Sequence, residues 1–145
     1  MSLPVLVAIV VFGIALSVAA VHFTGGSRMA SLADARQARD RFAQDYPDER
    51  ATSVRLTSDG RSAFLEFDDG RLGIVQAIGD CFLTRLVTPD DVAVLAAAED
   101  ARTIILRLAD FTWKGGRFTF ADAAAAKSVL DVLRPRLPDS DRKAA

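Results

Sequence analysis

Two pairs of adjacent acidic residues are the groups in this chain with the clearest capacity for chemistry. Asp68-Asp69 and Asp90-Asp91 are of the type that binds metal ions or transfers protons. Neighbouring side chains in a hairpin turn normally point to water, and the first pair lies beside such a turn. The second pair follows Thr88-Pro89, which is typical of a helix start. We therefore predict no catalytic residue, no metal site and no cofactor.

Nucleophilic catalysis is the other chemistry to consider, and it needs a base close to the nucleophile. The one histidine, His22, is far in sequence from the one cysteine, Cys81. A single cysteine forms no internal disulfide. Residues 70–73 carry two glycines but are too short for a phosphate-binding loop. We expect Cys81 to be a small buried apolar residue of a strand and the chain to be no enzyme.

The start of the chain predicts a transmembrane helix. Residues 3–21 carry no charge, and a helix of that length spans roughly 28 Å, close to the hydrocarbon core of a bilayer. The alternative is a signal peptide cleaved near residues 17–19, which would leave a periplasmic domain. A signal peptide usually begins with basic residues, and none precedes this run. We assign residues 1–23 to the membrane, with spanning residues that include Leu3, Val7, Val11, Ile14, Val18 and Val21.

The orientation follows from the basic residues beside the apolar run. None precedes it, whereas Arg28, Arg36, Arg39 and Arg41 follow it closely. The positive-inside rule then places the N-terminus outside the cell and the C-terminal domain in the cytoplasm. We expect a single-pass protein of the cell membrane. Arg28, Arg36 and Arg39 are candidates for contact with lipid headgroups.

Residues 24–50 predict an amphipathic juxtamembrane helix and a linker. Gly25-Gly26 interrupts the apolar run, and good helix formers extend from residue 28 to about residue 45. Ser27 can cap a helix, and residues 31–34 offer another start of the capping-box type. This helix could pack on the soluble domain, lie on the membrane or dock on a partner. The five basic and five acidic residues of the segment 24–50 favour the domain or a partner. A stripe at spacings of three and four comprises Met29, Leu32, Ala35, Arg39, Phe42 and Tyr46.

Residues 51–138 predict a small antiparallel β domain that ends in a helix. Alternating runs separated by Gly and Asp turns indicate strands near residues 53–57, 61–67, 72–78, 81–88, 103–109 and 117–120. Residues 92–97 could be a strand or a helix, so the total is six or seven strands. The final helix starts near Asp122 and is stopped by Pro135 and Pro138, and residues 139–145 are a flexible tail. Its apolar face comprises Ala126, Val129, Leu130, Leu133 and Leu137.

This order of elements resembles a pleckstrin-homology-like domain, especially the small bacterial versions fused to transmembrane segments. The resemblance covers residues 52–137 and is clearest in the strand 103–110, the return strand 117–120 and the helix that follows. It implies a partly open antiparallel barrel capped by the C-terminal helix. Phosphoinositide-binding members carry a basic first hairpin, whereas this hairpin has Asp59 between Arg55 and Arg61.

The expected function is non-catalytic. Charge is balanced, with 18 basic and 19 acidic residues, which argues against nucleic acid as a partner. We expect an accessory subunit or assembly factor of a membrane complex, and alternatively a module that binds lipid or a small ligand at the membrane. Trp113 could be a core residue or part of a partner-binding group. That group is Phe111, Trp113, Lys114 and Arg117.

Overall fold

The computed structural model describes residues 1–25 and 28–134. The predicted cap at Ser27, the stops at Pro135 and Pro138, Leu137 and the tail 139–145 lie outside these residues. The described residues contain three α-helices: α1 Leu3–Phe23, α2 Ala35–Asp45 and α3 Ala123–Leu133. Seven strands are described: β1 Ser53–Leu56, β2 Ser62–Glu66, β3 Leu72–Ile78, β4 Cys81–Val87, β5 Val92–Ala97, β6 Thr103–Leu108 and β7 Gly115–Thr119.

The strands form two antiparallel meanders. β1 to β4 make a four-stranded sheet, here called sheet 1, and β5 to β7 make a three-stranded sheet, called sheet 2. Glycines with positive φ form the tight hairpins of sheet 1, among them Gly60 and Gly70. An isolated bridge between Thr57 and Phe120 links the sheets at one corner, and the described strands do not close into a barrel. The predicted antiparallel β domain with a terminal helix is confirmed, and residues 92–97 are a strand.

The space between the sheets is filled by one hydrophobic core. Phe64 lies at its centre, with its ring 4.9 Å from that of Phe118 in an edge-on contact and 5.3 Å from that of Phe120. The apolar face of α3 closes this core, and Asp122 caps the helix by accepting a hydrogen bond from the backbone N–H of Ala125. α3 therefore packs across the gap between the two sheets.

The outer face of sheet 1 is covered by α2, which makes a second core. The ring of Phe42 lies directly on Gly73 of β3, where an added Cβ would come within 2.7 Å of it. Phe42 also stacks on Tyr46, with ring centroids 4.7 Å apart. Of the three arrangements considered for this helix, the structure shows packing on the β domain. The helix is therefore an integral layer of the fold.

Both ends of α2 are fixed by polar contacts. Asp34 caps its start by accepting from the backbone N–H of Gln37 at 2.8 Å. At its end, a hydrogen bond from the Thr84 hydroxyl, assisted by Arg41, holds the pKa of Asp45 below its usual value. The charged form of Asp45 is thus favoured where the helix meets β4.

The helix begins later than the sequence predicted, at Ala35 and not near Arg28. Residues 28–33, here called the strap, are not helical and bond to two hairpins of sheet 1. The N–H of Ala30 donates to the carbonyl of Gly79, and that of Leu32 to the carbonyl of Gly60, both at 2.7 Å. These bonds take the place of hydrogen bonds within a helix. The strap therefore attaches the start of the domain to the end of sheet 1 that carries the β1–β2 and β3–β4 hairpins.

A second correction concerns Cys81, which is exposed and not buried. It is the first residue of β4 and pairs with Ile78 at the tip of the hairpin, beyond the cover that α2 gives to the sheet. Within β4 the fully buried residues are Thr84 and Val87, and the strand is exposed where it begins.

α1 is long and apolar enough to cross a membrane, with a mean hydropathy of 2.7. It starts at Leu3, as predicted, and Pro4 lies in its first turn, where a missing N–H costs little. None of its residues is buried against the rest of the described chain, so it is not a core helix. All six predicted spanning residues lie on it. This is consistent with membrane anchoring.

We expect the α2 layer to be part of the cooperative fold. Phe42→Ala should lower the free energy of unfolding by about 3–5 kcal/mol, because it empties a site where the side chain is 1% exposed. Gly73→Ala should cost about 1–3 kcal/mol by overpacking against the same ring. Urea unfolding of the detergent-solubilised chain, followed by Trp113 fluorescence, measures both. Arg39→Ala on the exposed face is the matched control. A change below about 0.5 kcal/mol for Phe42→Ala would contradict this role.

Candidate functional site

The loop between β6 and β7, residues 109–114, carries three of the four predicted partner-binding residues. Arg85 of β4 fixes this loop: its Nε donates to Asp110 at 3.2 Å and its Nη2 to the hydroxyl of Thr112 at 2.7 Å. Asp110 also accepts from the backbone N–H of Thr112 at 2.8 Å. The hydrogen bonds from Thr112, with that from Arg85, hold the pKa of Asp110 below its usual value. The loop is therefore pinned at its centre.

This pinned loop presents Phe111 to solvent. Its side chain is 100% exposed, although the residues on both sides of it are held in place. It borders a shallow groove of about 260 Å³ between β4 and the end of β6, whose apolar wall includes Val87 and Leu108. An exposed aromatic side chain on a fixed backbone loses little conformational entropy on binding, which is the property of an interface anchor.

Trp113 points away from Phe111 and towards the interior. Its ring makes an edge-on contact with Phe118 at 6.2 Å and packs against the core between the sheets. Half-buried, it also forms one wall of a polar cleft described below. Of the two alternatives for Trp113, core packing accounts for its main contacts.

Lys114 and Arg117 share a groove on the outer face of sheet 2. The groove has a volume of about 440 Å³, and its floor is the backbone of Gly115 and Gly116. Gly115 has φ +89, and a Cβ there would lie 2.3 Å from the carbonyl of Leu106, so this floor carries no side chain. The structure thus spreads the four predicted residues over two grooves, the core and the polar cleft, which Trp113 and Arg117 both line.

A cationic cleft lies between the first hairpin of sheet 1 and β7. Arg61 and Arg117 line this space of about 190 Å³, together with the polar side chains of Thr57, Ser62 and Gln76. The Nε of Arg61 is buried and has no hydrogen-bond partner within the described residues. Neither arginine forms an ion pair within that part of the chain. The sequence prediction did not include Arg61 as a site residue.

Asp59 is the one carboxylate in the cleft. Burial raises its pKa, but hydrogen bonds from the Thr57 hydroxyl at 2.7 Å and the Arg61 N–H at 3.0 Å, with the charge of Arg61, outweigh that effect. The pKa of Asp59 is therefore lowered, and both hydrogen bonds end on one of its oxygens, Oδ1. Two arginines against one carboxylate leave the cleft with a positive charge.

The three arginines predicted to contact headgroups are all exposed. Arg28 follows α1 within the strap. Arg36 and Arg39 lie on the solvent face of α2, and Arg36 forms a long contact of 3.9 Å with Asp40. The exposed face of α2 points away from sheet 1. Arg36 and Arg39 therefore do not border the cationic cleft.

One residue of each acidic pair, and the cysteine, has a local partner. Asp91 accepts from both the N–H and the hydroxyl of Thr88 and so caps a turn of 3-10 helix, while Asp69 pairs with Arg71. A hydrogen bond to Asp80, and its charge, raise the pKa of the Cys81 thiol. Across residues 1–25 and 28–134, no three His, Cys, Asp or Glu side chains are grouped to hold a metal ion.

Comparison of the chain with protein-family models, with curated proteins and with solved structures found no match in any of the three. The surfaces of this domain are therefore characterised by their geometry alone. They comprise an exposed aromatic side chain, a glycine-floored groove and a cationic cleft.

We expect Arg85→Ala to free the loop 109–114. Loss of a hydrogen-bonded charge costs ~1.5 kcal/mol or more, so amide hydrogen exchange in the loop should quicken at least about tenfold. Hydrogen exchange with mass spectrometry measures this, and Arg55→Ala, which breaks the Arg55–Glu66 pair at 3.1 Å, is the control. Because the pKa of Asp110 is lowered, its carboxylate is charged at neutral pH and keeps its hydrogen bond from Arg85. This contact is lost as the pH falls through the pKa of Asp110. Unchanged exchange would show that the loop is fixed by other contacts.

Proposed function

We propose that this chain is a non-catalytic, membrane-anchored interaction protein that serves a membrane complex as an accessory subunit or assembly factor. α1 holds it in the cell membrane, and the basic residues after α1 place the β domain in the cytoplasm. The order of a four-stranded sheet, a three-stranded sheet and a terminal helix supports a pleckstrin-homology-like interpretation of that domain. Anchoring raises the local concentration of the domain for partners in the same membrane.

The observation that carries this proposal is Phe111 on its pinned loop. A large apolar side chain that is fully exposed gains from burial, and aromatic residues dominate the binding energy of many interfaces. The groove beside Phe111 offers a concave surface for a partner. Arg85 already positions the loop, so docking requires no refolding.

We expect Phe111→Ala to release the partner. Loss of an aromatic anchor costs about 2 kcal/mol or more, equivalent to roughly a thirtyfold loss of affinity. The tagged full-length chain would be purified in mild detergent and co-purifying proteins quantified by mass spectrometry. Ile78→Ala removes a side chain that is 51% exposed at the opposite end of sheet 1 and is the matched control. A chain that purifies alone, or equal recovery with both variants, would overturn the proposal.

A second candidate function is binding of an anionic lipid headgroup or another small anion. The cationic cleft supports it, because the Arg61 Nε is buried with no partner among the described residues. The first hairpin also accepts the strap through Gly60, so the cleft lies at the end of the domain where the chain arrives from α1. The chain takes seven residue steps from Phe23, the last residue of α1, to Ala30 of the strap. The Cα atoms of these two residues are therefore at most about 25 Å apart.

We expect an anionic ligand to stabilise the chain through Arg61. At ten times the dissociation constant, a ligand adds about 1.4 kcal/mol, which should raise Tm by roughly 5 °C or more. Thermal unfolding in detergent would be compared with short-chain phosphatidylglycerol, phosphatidylcholine and inorganic phosphate. A shift with phosphatidylglycerol alone indicates a lipid, and one with phosphate also indicates a general anion site. Arg61→Ala should abolish either shift and Arg55→Ala should not. No shift with any anion would rule out this function.

A further inference from the structure

Each sheet has two edge strands, and the four edges are not equally protected. An open edge exposes backbone N–H and C=O groups that can pair with another strand, and proteins usually block it with charge or covering groups. On β4, Arg41 donates to the carbonyl of Phe82 at 3.2 Å and Arg85 to that of Thr84 at 3.0 Å. β1 and β7 are joined at one corner, where the N–H of Ser58 donates to Thr119 at 2.8 Å.

β5 lacks such protection within the described residues. Its six residues, Val92–Ala97, carry no charge and no proline, and four of them are exposed. The N–H of Ala98 donates to Thr103 of β6. By the alternation of an antiparallel ladder, Ala96 and Val94 also bond to β6, and the backbone groups of Leu95 and Ala97 point to the open edge. No hydrogen bond from the described chain reaches those groups.

We propose that β5 pairs with β5 of a second copy of this chain, so that two copies of sheet 2 form one continuous six-stranded sheet. Antiparallel pairing about a two-fold axis at Ala96 places Leu95 of each copy opposite Ala97 of the other. Both of these residues then exchange their free backbone hydrogen bonds. Ala96 faces its own equivalent, where the strands approach within about 4.5 Å between Cα atoms. Small uncharged side chains at this point allow the approach without repulsion.

A second copy fits this edge better than a partner with a charged strand. The edge has no charged side chain that would favour a partner strand of opposite charge. An isologous pair needs only a surface complementary to itself. The membrane helix offers a compatible surface, since Gly13 and Ser17 lie four residues apart, a spacing that lets two helices approach closely. Anchoring also confines copies to one plane, which raises their effective concentration.

Cysteine cross-linking in membranes tests this pairing directly. In a Cys81→Ser background, which removes the one native cysteine, Ala96→Cys would place two thiols across the axis at disulfide distance. Oxidation of membranes containing the full-length chain should convert most of it to a species of twice the 15.6 kDa chain mass. Ala124→Cys, exposed on α3, is the matched control and should cross-link at least about tenfold less. Equal cross-linking at the two positions would overturn the proposal.

Charge variants provide an independent measurement on the same edge. Ala96→Lys places like charges opposite each other and should leave the chain monomeric in detergent by light scattering, as should Ala96→Glu. Co-expression of the two variants should restore a mixed dimer, which a folding defect would not allow. Ala124→Lys should remain dimeric. A monomeric wild-type chain would show that β5 does not mediate association. A dimer that persists with Ala96→Lys but is lost with Gly13→Ile would show the same.

Discussion

The contact between the Phe42 ring and Gly73 determines how the rest of this fold is arranged. Because β3 has no side chain at that position, the aromatic ring of Phe42 can lie against the backbone of the sheet. The position of this ring sets how close α2 packs to sheet 1. Burial of the outer face by α2 leaves sheet 1 apolar on both faces. That is why β2 and β3 show continuous burial over four residues, whereas β5 in sheet 2 is largely exposed. The outer face of sheet 2, opposite α3, has no comparable cover from the described chain.

The same contact ties the membrane-proximal segment to the domain. α2 can reach Gly73 only if the strap before it crosses the hairpin end of sheet 1, and the bonds to Gly79 and Gly60 fix that course. Ala30, seven residues after the end of α1, is therefore already bonded to the domain. A long flexible tether would decouple the domain from its anchor, whereas this arrangement limits which surfaces can reach the bilayer.

The sequence predicted the features that depend on local pattern. The charge-free run specified α1, Asp-Gly and Gly-Asp pairs marked the hairpins of sheet 1, and apolar spacing of three and four identified α3. Features that depend on tertiary contact were missed or left open. The strap residues are good helix formers, but their N–H groups bond to distant hairpins, and Cys81 lies past the edge of the α2 layer. The cleft escaped prediction because Arg61 and Arg117 are 56 residues apart and meet only when β7 crosses the first hairpin.

The two surfaces best suited to binding lie at different ends of the molecule. The cationic cleft borders the hairpin that receives the strap, whereas the Phe111 groove is lined by Val87 and Asp91, at the other end of β4. Six residue steps along that strand correspond to about 20 Å. A partner docked on Phe111 would thus contact the end of the domain opposite the hairpin that receives the strap, and an anion in the cleft would lie beside that hairpin. Since the two sites share no residue, a single small domain has room for a partner and an anion at the same time.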